Sequence, residues 1–245
     1  MLPIRDVNPT RIRPLVTWAI IAINAFVYFV VQPQEIEAAT EFAYERAAIA
    51  CELTTGEPLS LDEINSERCR DDSETPFFPE KNVWLAGFVS MFLHGSIAHI
   101  LFNMWSLWIF GNNVEEALGH LGYILFYVAS GVAATVGFVA ANPDLTVPLI
   151  GASGAIAGVM GAYLVLFPRH LVLTVIIFRV VAIPALAFLG FWFFSQFFFE
   201  TEGVAWEAHV AGFVFGALVA IPFREVLLRR TLAGEAPVPT SRYSF

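Results

Sequence analysis

The chain has 245 residues, of which 57% are hydrophobic and 14% charged, with 24 phenylalanines and a mean hydropathy of +0.67. A water-soluble domain of this length cannot bury so much apolar surface, so the composition specifies an integral, multi-pass membrane protein in contact with a lipid bilayer. The formal charge of −9 argues against nucleic-acid binding, which needs a basic surface.

Membrane spans are sought as runs of roughly 17–25 residues without charge, because a helix rising about 1.5 Å per residue must cross about 30 Å of hydrocarbon. The first such run is Pro14 to Pro33, so residues 1–33 read as a cytoplasmic N-terminus and a first transmembrane helix. That run is long and has no small-residue cleavage pattern behind it, which makes it an uncleaved anchor.

Residues 34–82 are a different material: thirteen acidic side chains against four basic ones, a balance that equals the whole formal charge. A short helix is expected over Glu41 to Glu52. Ser60-Leu61-Asp62-Glu63 has a capping serine and first-turn acids, the pattern of a helix start. Both cysteines, Cys51 and Cys69, lie here. In an oxidising compartment they would close a loop of about 19 residues, contributing about 3 kcal/mol in the chain-entropy description; two free thiols are the alternative. No Cys-x-x-Cys and no histidine accompany them, so no metal is expected, and the acids lack the spacing and glycine of a calcium loop. The insert reads as a solvated acidic cap on the extracytoplasmic side.

Apolar sequence resumes at Val83, but His94, Gly95, Ser96 and His99 interrupt it. Val83 to Ala98 is therefore expected to be a membrane-embedded loop, with a helix from His99 to about Leu118. Further spans are Leu121 to Ala141, Gly151 to Phe167, which is short, Pro184 to Phe199 and Ala205 to Phe223. This makes an all-α membrane protein of six transmembrane helices. Arg5, Arg11 and Arg13 before the first span, Arg169 between the fourth and fifth, and Arg224, Arg229 and Arg230 after the sixth place both termini in the cytoplasm. Residues 224–245 form a cytoplasmic tail, disordered from Ala233 onward by its composition.

Three stretches carry chemistry. Gly151-Ala152-Ser153-Gly154 follows Pro148 and opens a helix, so backbone N–H groups without intrahelical partners surround a serine. Gly154, Gly158 and Gly161 also make a small-residue face for close helix contact, where a serine is often only an interhelical hydrogen bond. Ala208, Gly212 and Gly216 form a second stripe at four-residue spacing, which packed on the first would bring His209 within reach of Ser153. An imidazole in lipid is costly without a partner or a wet cavity, so it marks function by default, with a bond to a backbone carbonyl as the plain alternative. His99 and Asn103 share one helix face and supply two donors of the kind an oxyanion needs in a dry site. Metal ligation by His94, His99 and His209 lacks a carboxylate to complete it. Glu115 and Glu116 at the far end of that helix suit a capping role.

Taken together and in this order, His99-x-x-x-Asn103, Gly151-x-Ser153-Gly154 and Ala208-His209-x-x-Gly212-x-x-x-Gly216 resemble the motifs of the rhomboid family of intramembrane serine proteases, over roughly Val83 to Phe223. The resemblance implies a six-helix rhomboid bundle with residues 83–223 as the catalytic core and a bacterial-type plasma membrane as the setting. It implies Ser153 as nucleophile and His209 as general base, with His99, Asn103 and the Ser153 N–H as the oxyanion hole. It gives Glu115, or else Glu116, a structural role within the loop region. Phe199 to Trp206 would be a cap over the site and the fifth helix its mobile side. No cofactor is implied, and the partners are transmembrane protein substrates cleaved after a small residue.

Three positions depart from the family pattern. Leu85-Ala86 stands where many relatives carry Trp-Arg, Ala157 stands where some carry a tyrosine that stacks on the histidine, and the acidic insert is additional. The competing readings are a rhomboid-like protein that binds client helices without cleaving them, and a small channel or transporter. The latter lacks inverted repeats and a line of intramembrane charges.

Overall fold

In the computed structural model, residues 1–69, 75–198 and 203–231 are described. Helix α1 (Leu15–Phe26) begins just after Pro14 and runs on through a wider turn over Val27–Val31. The insert carries α2 (Ile36–Arg46), α3 (Ala50–Thr55) and α4 (Leu61–Ser66). There follow α5 (Val83–Val89), α6 (Ile97–Leu118), α7 (His120–Ala141), α8 (Ser153–Leu166), α9 (Ala185–Ser195) and α10 (Trp206–Leu228). By length and apolarity α7 and α10 can each cross a membrane. Val83–Phe92 and Ile97–Leu118 form a pair bent by 78°, and Leu15–Val31, α8 and α9 are shorter apolar helices. Residues 199–202 of the expected cap and the tail from Ala233 lie outside the described residues.

The expectation of an all-α chain is corrected by two small antiparallel sheets. One joins β1 (Leu2–Asp6), β4 (Leu171–Ile176) and β5 (Arg179–Pro184) in the order β1-β4-β5. Strands β4 and β5 are rich in Val and Ile, which favour the pleated backbone. The β4–β5 turn was illegible because Ile177 and Phe178 sit at φ 43° and 65°, where a hairpin normally announces itself with Asn or Gly. The second sheet pairs β2 (Ala48–Ile49) with β3 (Pro148–Leu149), so the expected helix over Glu41 to Glu52 is broken in two by an extended Ala47 and a strand. Likewise Val83 to Ala98 is mostly α5 and a tighter turn over Ser90–Phe92, rather than irregular loop.

Helix α8 occupies the centre, buried from Gly154 through Tyr163. Its contacts explain the glycines. A Cβ at Gly212 would fall on the carbonyl oxygen of Gly154, and one at Gly216 on that of Gly158. The two helices therefore touch backbone to backbone, which only glycine permits. The open sides of Gly154 and Gly158 face α7 instead, against Ala134 and Ser130.

Glu115 is fully buried at the far end of α6. It accepts hydrogen bonds from Val16 N–H (2.9 Å), Thr17 N–H (2.8 Å) and Thr17 Oγ1 (2.7 Å), and pairs with His120 Nδ1 at 2.6 Å. Its backbone donors are thus in the first turn of α1 rather than in a loop region, because that turn exposes N–H groups with no intrahelical acceptor and favours a negative charge. Alanine at Glu115 is expected to cost about 3 kcal/mol, since charge-assisted hydrogen bonds contribute about 1.5–3 kcal/mol each and their donors would stay buried. Thermal unfolding in detergent reads this directly.

The sheet is tied to the helices at Asp6, whose Oδ2 accepts from the buried Tyr163 hydroxyl at 2.8 Å, and at Pro3, whose carbonyl accepts from Trp105 Nε1 at 2.6 Å. Burial pushes the Asp6 carboxyl up to about 7 from an ordinary value near 3.8, against the opposing effect of the Tyr163 bond. The folded state therefore holds a proton that the unfolded chain releases. The contribution to stability is complete below about pH 4 and is lost as pH rises through about 7. Asp6→Asn is expected to flatten this part of the melting-temperature profile and to raise stability at pH 8.

The insert is organised around a Cys51–Cys69 disulfide and a buried Lys81–Glu52 ion pair at 2.5 Å, with Lys81 also donating to the Tyr44 carbonyl. Ser60 and Glu63 cap α4 reciprocally.

Candidate active site

Helix α8 starts at Ser153 after a turn that needs glycine. Gly151 has φ +129°, and a Cβ there would lie 2.8 Å from His99 Nε2 and 3.5 Å from Ser153 Oγ. Gly151 therefore serves the turn and the approach of His99. Its expected place on a helix-packing face is corrected, because the residue precedes the helix. Its N–H donates to the Ser90 carbonyl at 2.9 Å. The Ser90 hydroxyl accepts the Ala48 N–H of β2 and donates to the Ala86 carbonyl. With β2 paired to β3, and Cys51 N–H donating to Leu145 O at 3.1 Å, the insert is wired to the segment that delivers Ser153.

His209 lies in the first turn of α10, at the level where the Gly154–Gly212 contact holds the two helices together. Its Nε2 is 2.8 Å from Ser153 Oγ. Its Nδ1 is 2.8 Å from Gln196 Oε1, just past the end of α9. The Trp192 ring lies beside the imidazole, centroids 5.9 Å apart and tilted by 37°. Ala157 is completely buried and contributes no ring, so the aromatic neighbour of the histidine comes from α9 rather than α8.

His99 and Asn103 occupy the first two turns of α6, whose N-terminus is capped by Ser96 accepting from His99 N–H. The Gly95 N–H lies 3.5 Å from His99 Nδ1, and Nε2 is the nitrogen that faces Gly151. The His94 ring packs edge-on to it at 5.0 Å. Asn103 is buried, and its Nδ2 has no hydrogen-bond partner among the described residues. A cavity of about 1150 Å³ joins these groups, lined among others by Ser153, His209, His99, Asn103, Trp192 and Gln196. Such a site offers a hydroxyl on an imidazole, with further donors facing the same space. This is the equipment for acyl transfer.

The profile of the rhomboid domain matches residues 81–226, well over half the chain. The chain belongs to the rhomboid family. Among its relatives are the putative rhomboid protease YdcA of Bacillus subtilis (strain 168), 36% identical over 91 residues, and rhomboid protease GluP of the same organism, 31% identical over 139. Rhomboid protein 1, mitochondrial, of Saccharomyces cerevisiae is 31% identical over 136 residues. These alignments take in 36%, 56% and 53% of this chain, but only 45%, 25% and 39% of the relatives' own lengths. The match begins at residue 81, so nearly all of the insert lies before the rhomboid domain.

Gln196, Trp192 and Ser90 were not singled out by the sequence. For Gln196 a signal existed: a lone amide within Phe191-Trp192-Phe193-Phe194-Ser195-Gln196-Phe197-Phe198 has to find a polar partner.

Proposed function

We propose that this rhomboid is an intramembrane serine endopeptidase that cleaves transmembrane helices near their extracytoplasmic ends. The observation that carries the reading is the 2.8 Å contact between Ser153 Oγ and His209 Nε2 inside a cavity built from apolar helices. In this reading α1 and its extension, α6, α7, α8, α9 and α10 are six spans with both termini cytoplasmic. Val83 to Ala98 is embedded in the outer leaflet, residues 83–223 are the catalytic core, 34–82 the extracytoplasmic insert and 224–245 the tail.

His209 Nε2 accepts the Ser153 proton as Oγ attacks the scissile carbonyl. The oxyanion that develops is stabilised by the Ser153 N–H, His99 Nε2–H and Asn103 Nδ2. Imidazolium then protonates the leaving amine, and water delivered through the cavity hydrolyses the acyl-enzyme. A helix satisfies its own backbone bonds, so cleavage requires local unwinding. Substrates with Gly or Pro near the site unwind at about 1–3 kcal/mol less cost per residue than alanine. A small residue precedes the cleaved bond.

The test is cleavage of a single-span fluorogenic substrate in proteoliposomes, alongside labelling of Ser153 by a fluorophosphonate. Turnover and labelling together support the proposal. A folded protein that neither cleaves nor labels would be a non-cleaving binder of client helices.

A further inference from the structure

Resting on the reading of Ser153 and His209 as nucleophile and base, we infer that Gln196 is the third member of the site. It is a positioning residue whose side-chain carbonyl holds His209 in the tautomer that can accept a proton. A neutral imidazole has one donor and one acceptor nitrogen, and only a ring protonated on Nδ1 leaves Nε2 free to take the Ser153 proton. Gln196 Oε1 lies 2.8 Å from Nδ1 and accepts that N–H.

The orientation of the amide is fixed by its other end. Gln196 Nε2 donates to the Trp192 carbonyl at 3.1 Å and lies 3.4 Å from Ser195 Oγ, whose own proton goes to the same carbonyl at 2.6 Å. Turning the amide over would present Nε2 to the imidazole and leave Oε1 against an acceptor. It would also place the ring proton on Nε2, facing Ser153, where it blocks base catalysis. The tilted Trp192 ring limits rotation of the imidazole from the side.

A carboxylate would orient the ring as well, but an ionised group at this partly buried position carries a desolvation cost that a neutral amide avoids. Glutamine supplies direction without charge. Because Gln196 follows α9 while Ser153 and His209 belong to α8 and α10, the site needs three helix ends in register.

The experiment compares the wild-type protein with Gln196→Leu and Gln196→Glu in liposomes, with thermal midpoints measured beside kcat, KM and the pH profile. The expected result for Gln196→Leu is a fall in kcat of about 100-fold or more with KM within about twofold, because the binding surface is intact and the base is misoriented. Gln196→Glu keeps the acceptor, restores most of kcat, and moves the acid limb of the profile to higher pH by about one unit, the effect of an added neighbouring negative charge. Nitrogen-15 shifts of His209 report the tautomer with no cleavage at all: a protonated Nδ1 in the wild type and a mixture in Gln196→Leu. The inference is overturned if Gln196→Leu retains kcat within about threefold. It also falls if Gln196→Glu is as inactive as a stably folded Gln196→Leu, or if the wild-type ring is protonated on Nε2. Should Gln196→Leu fail to fold, Gln196→Glu and the wild-type nitrogen shifts decide. A wild-type protein that shows the Nδ1 tautomer but cleaves nothing overturns the protease reading and leaves the positioning contact standing.

Discussion

Alanine at Ser153 is expected to lower turnover by at least about 10⁴-fold and to abolish fluorophosphonate labelling, and alanine at His209 to do nearly the same. Members of a nucleophile–base unit act together, so removing either costs about as much as removing both. Residual turnover would come from His99 and Asn103, which can still polarise a bound carbonyl. The decisive detail is the double variant: if Ser153→Ala with His209→Ala is no slower than either alone, the 2.8 Å contact is a working hydrogen bond of the reaction. Additive losses in the double variant would mean that the two residues serve separate purposes.

Alanine at Gly216 is expected to be the most destabilising single methyl that can be added to the bundle. Its Cβ would fall on the carbonyl of Gly158, backbone that cannot rotate away, so α10 must separate from α8. Overpacking of this kind costs about 1–3 kcal/mol where side chains can yield, and more where they cannot. A fall of about 5–10 °C in thermal midpoint follows from about 2–4 °C per kcal/mol for a chain of this size. Activity should fall further than stability, because parting α10 from α8 at Gly158–Gly216 also loosens the neighbouring Gly154–Gly212 contact beside His209, and an error of about 1 Å between His209 and Ser153 can cost about 100-fold. Gly190→Ala is the control: nothing lies within 4 Å of a Cβ there, so it is expected to leave the midpoint unchanged or slightly raised. An equal fall in both variants would show that helix glycines matter here for a reason other than contact.

The parts legible in the sequence are those written locally. Charge-free runs marked the helices, and α7 and α10 lie within a few residues of the runs Leu121 to Ala141 and Ala205 to Phe223. Two stripes of small residues on separate helices explain why Ser153 and His209 meet, because glycine spacing fixes which faces approach. Strands β4 and β5 escaped notice because each is a short run rich in β-branched residues, joined by a turn without glycine or asparagine, and β2 and β3 because two residues carry no periodicity. Glu115 was given a structural role within the loop region, whereas its backbone donors, Val16 and Thr17, are about 100 residues away in sequence. Gln196 depends on where α9 ends relative to α10, a tertiary fact with no local periodicity.

The two-residue ladder between β2 and β3 gives the acidic insert a different standing from that of an appended cap. A cap can be trimmed or exchanged without consequence for what lies beneath it. Here the segment leading to Ser153 has one flank occupied by Ala48 and Ile49, and Ser90 spans both sides through its carbonyl and hydroxyl. Excising residues 34–82 would strip that flank and leave an open strand edge beside Ser153, free to recruit any extended peptide. Chimeras that exchange the acidic insert of this protein therefore need their boundaries drawn outside Ala47–Glu52, with that short buried stretch inherited together with the serine.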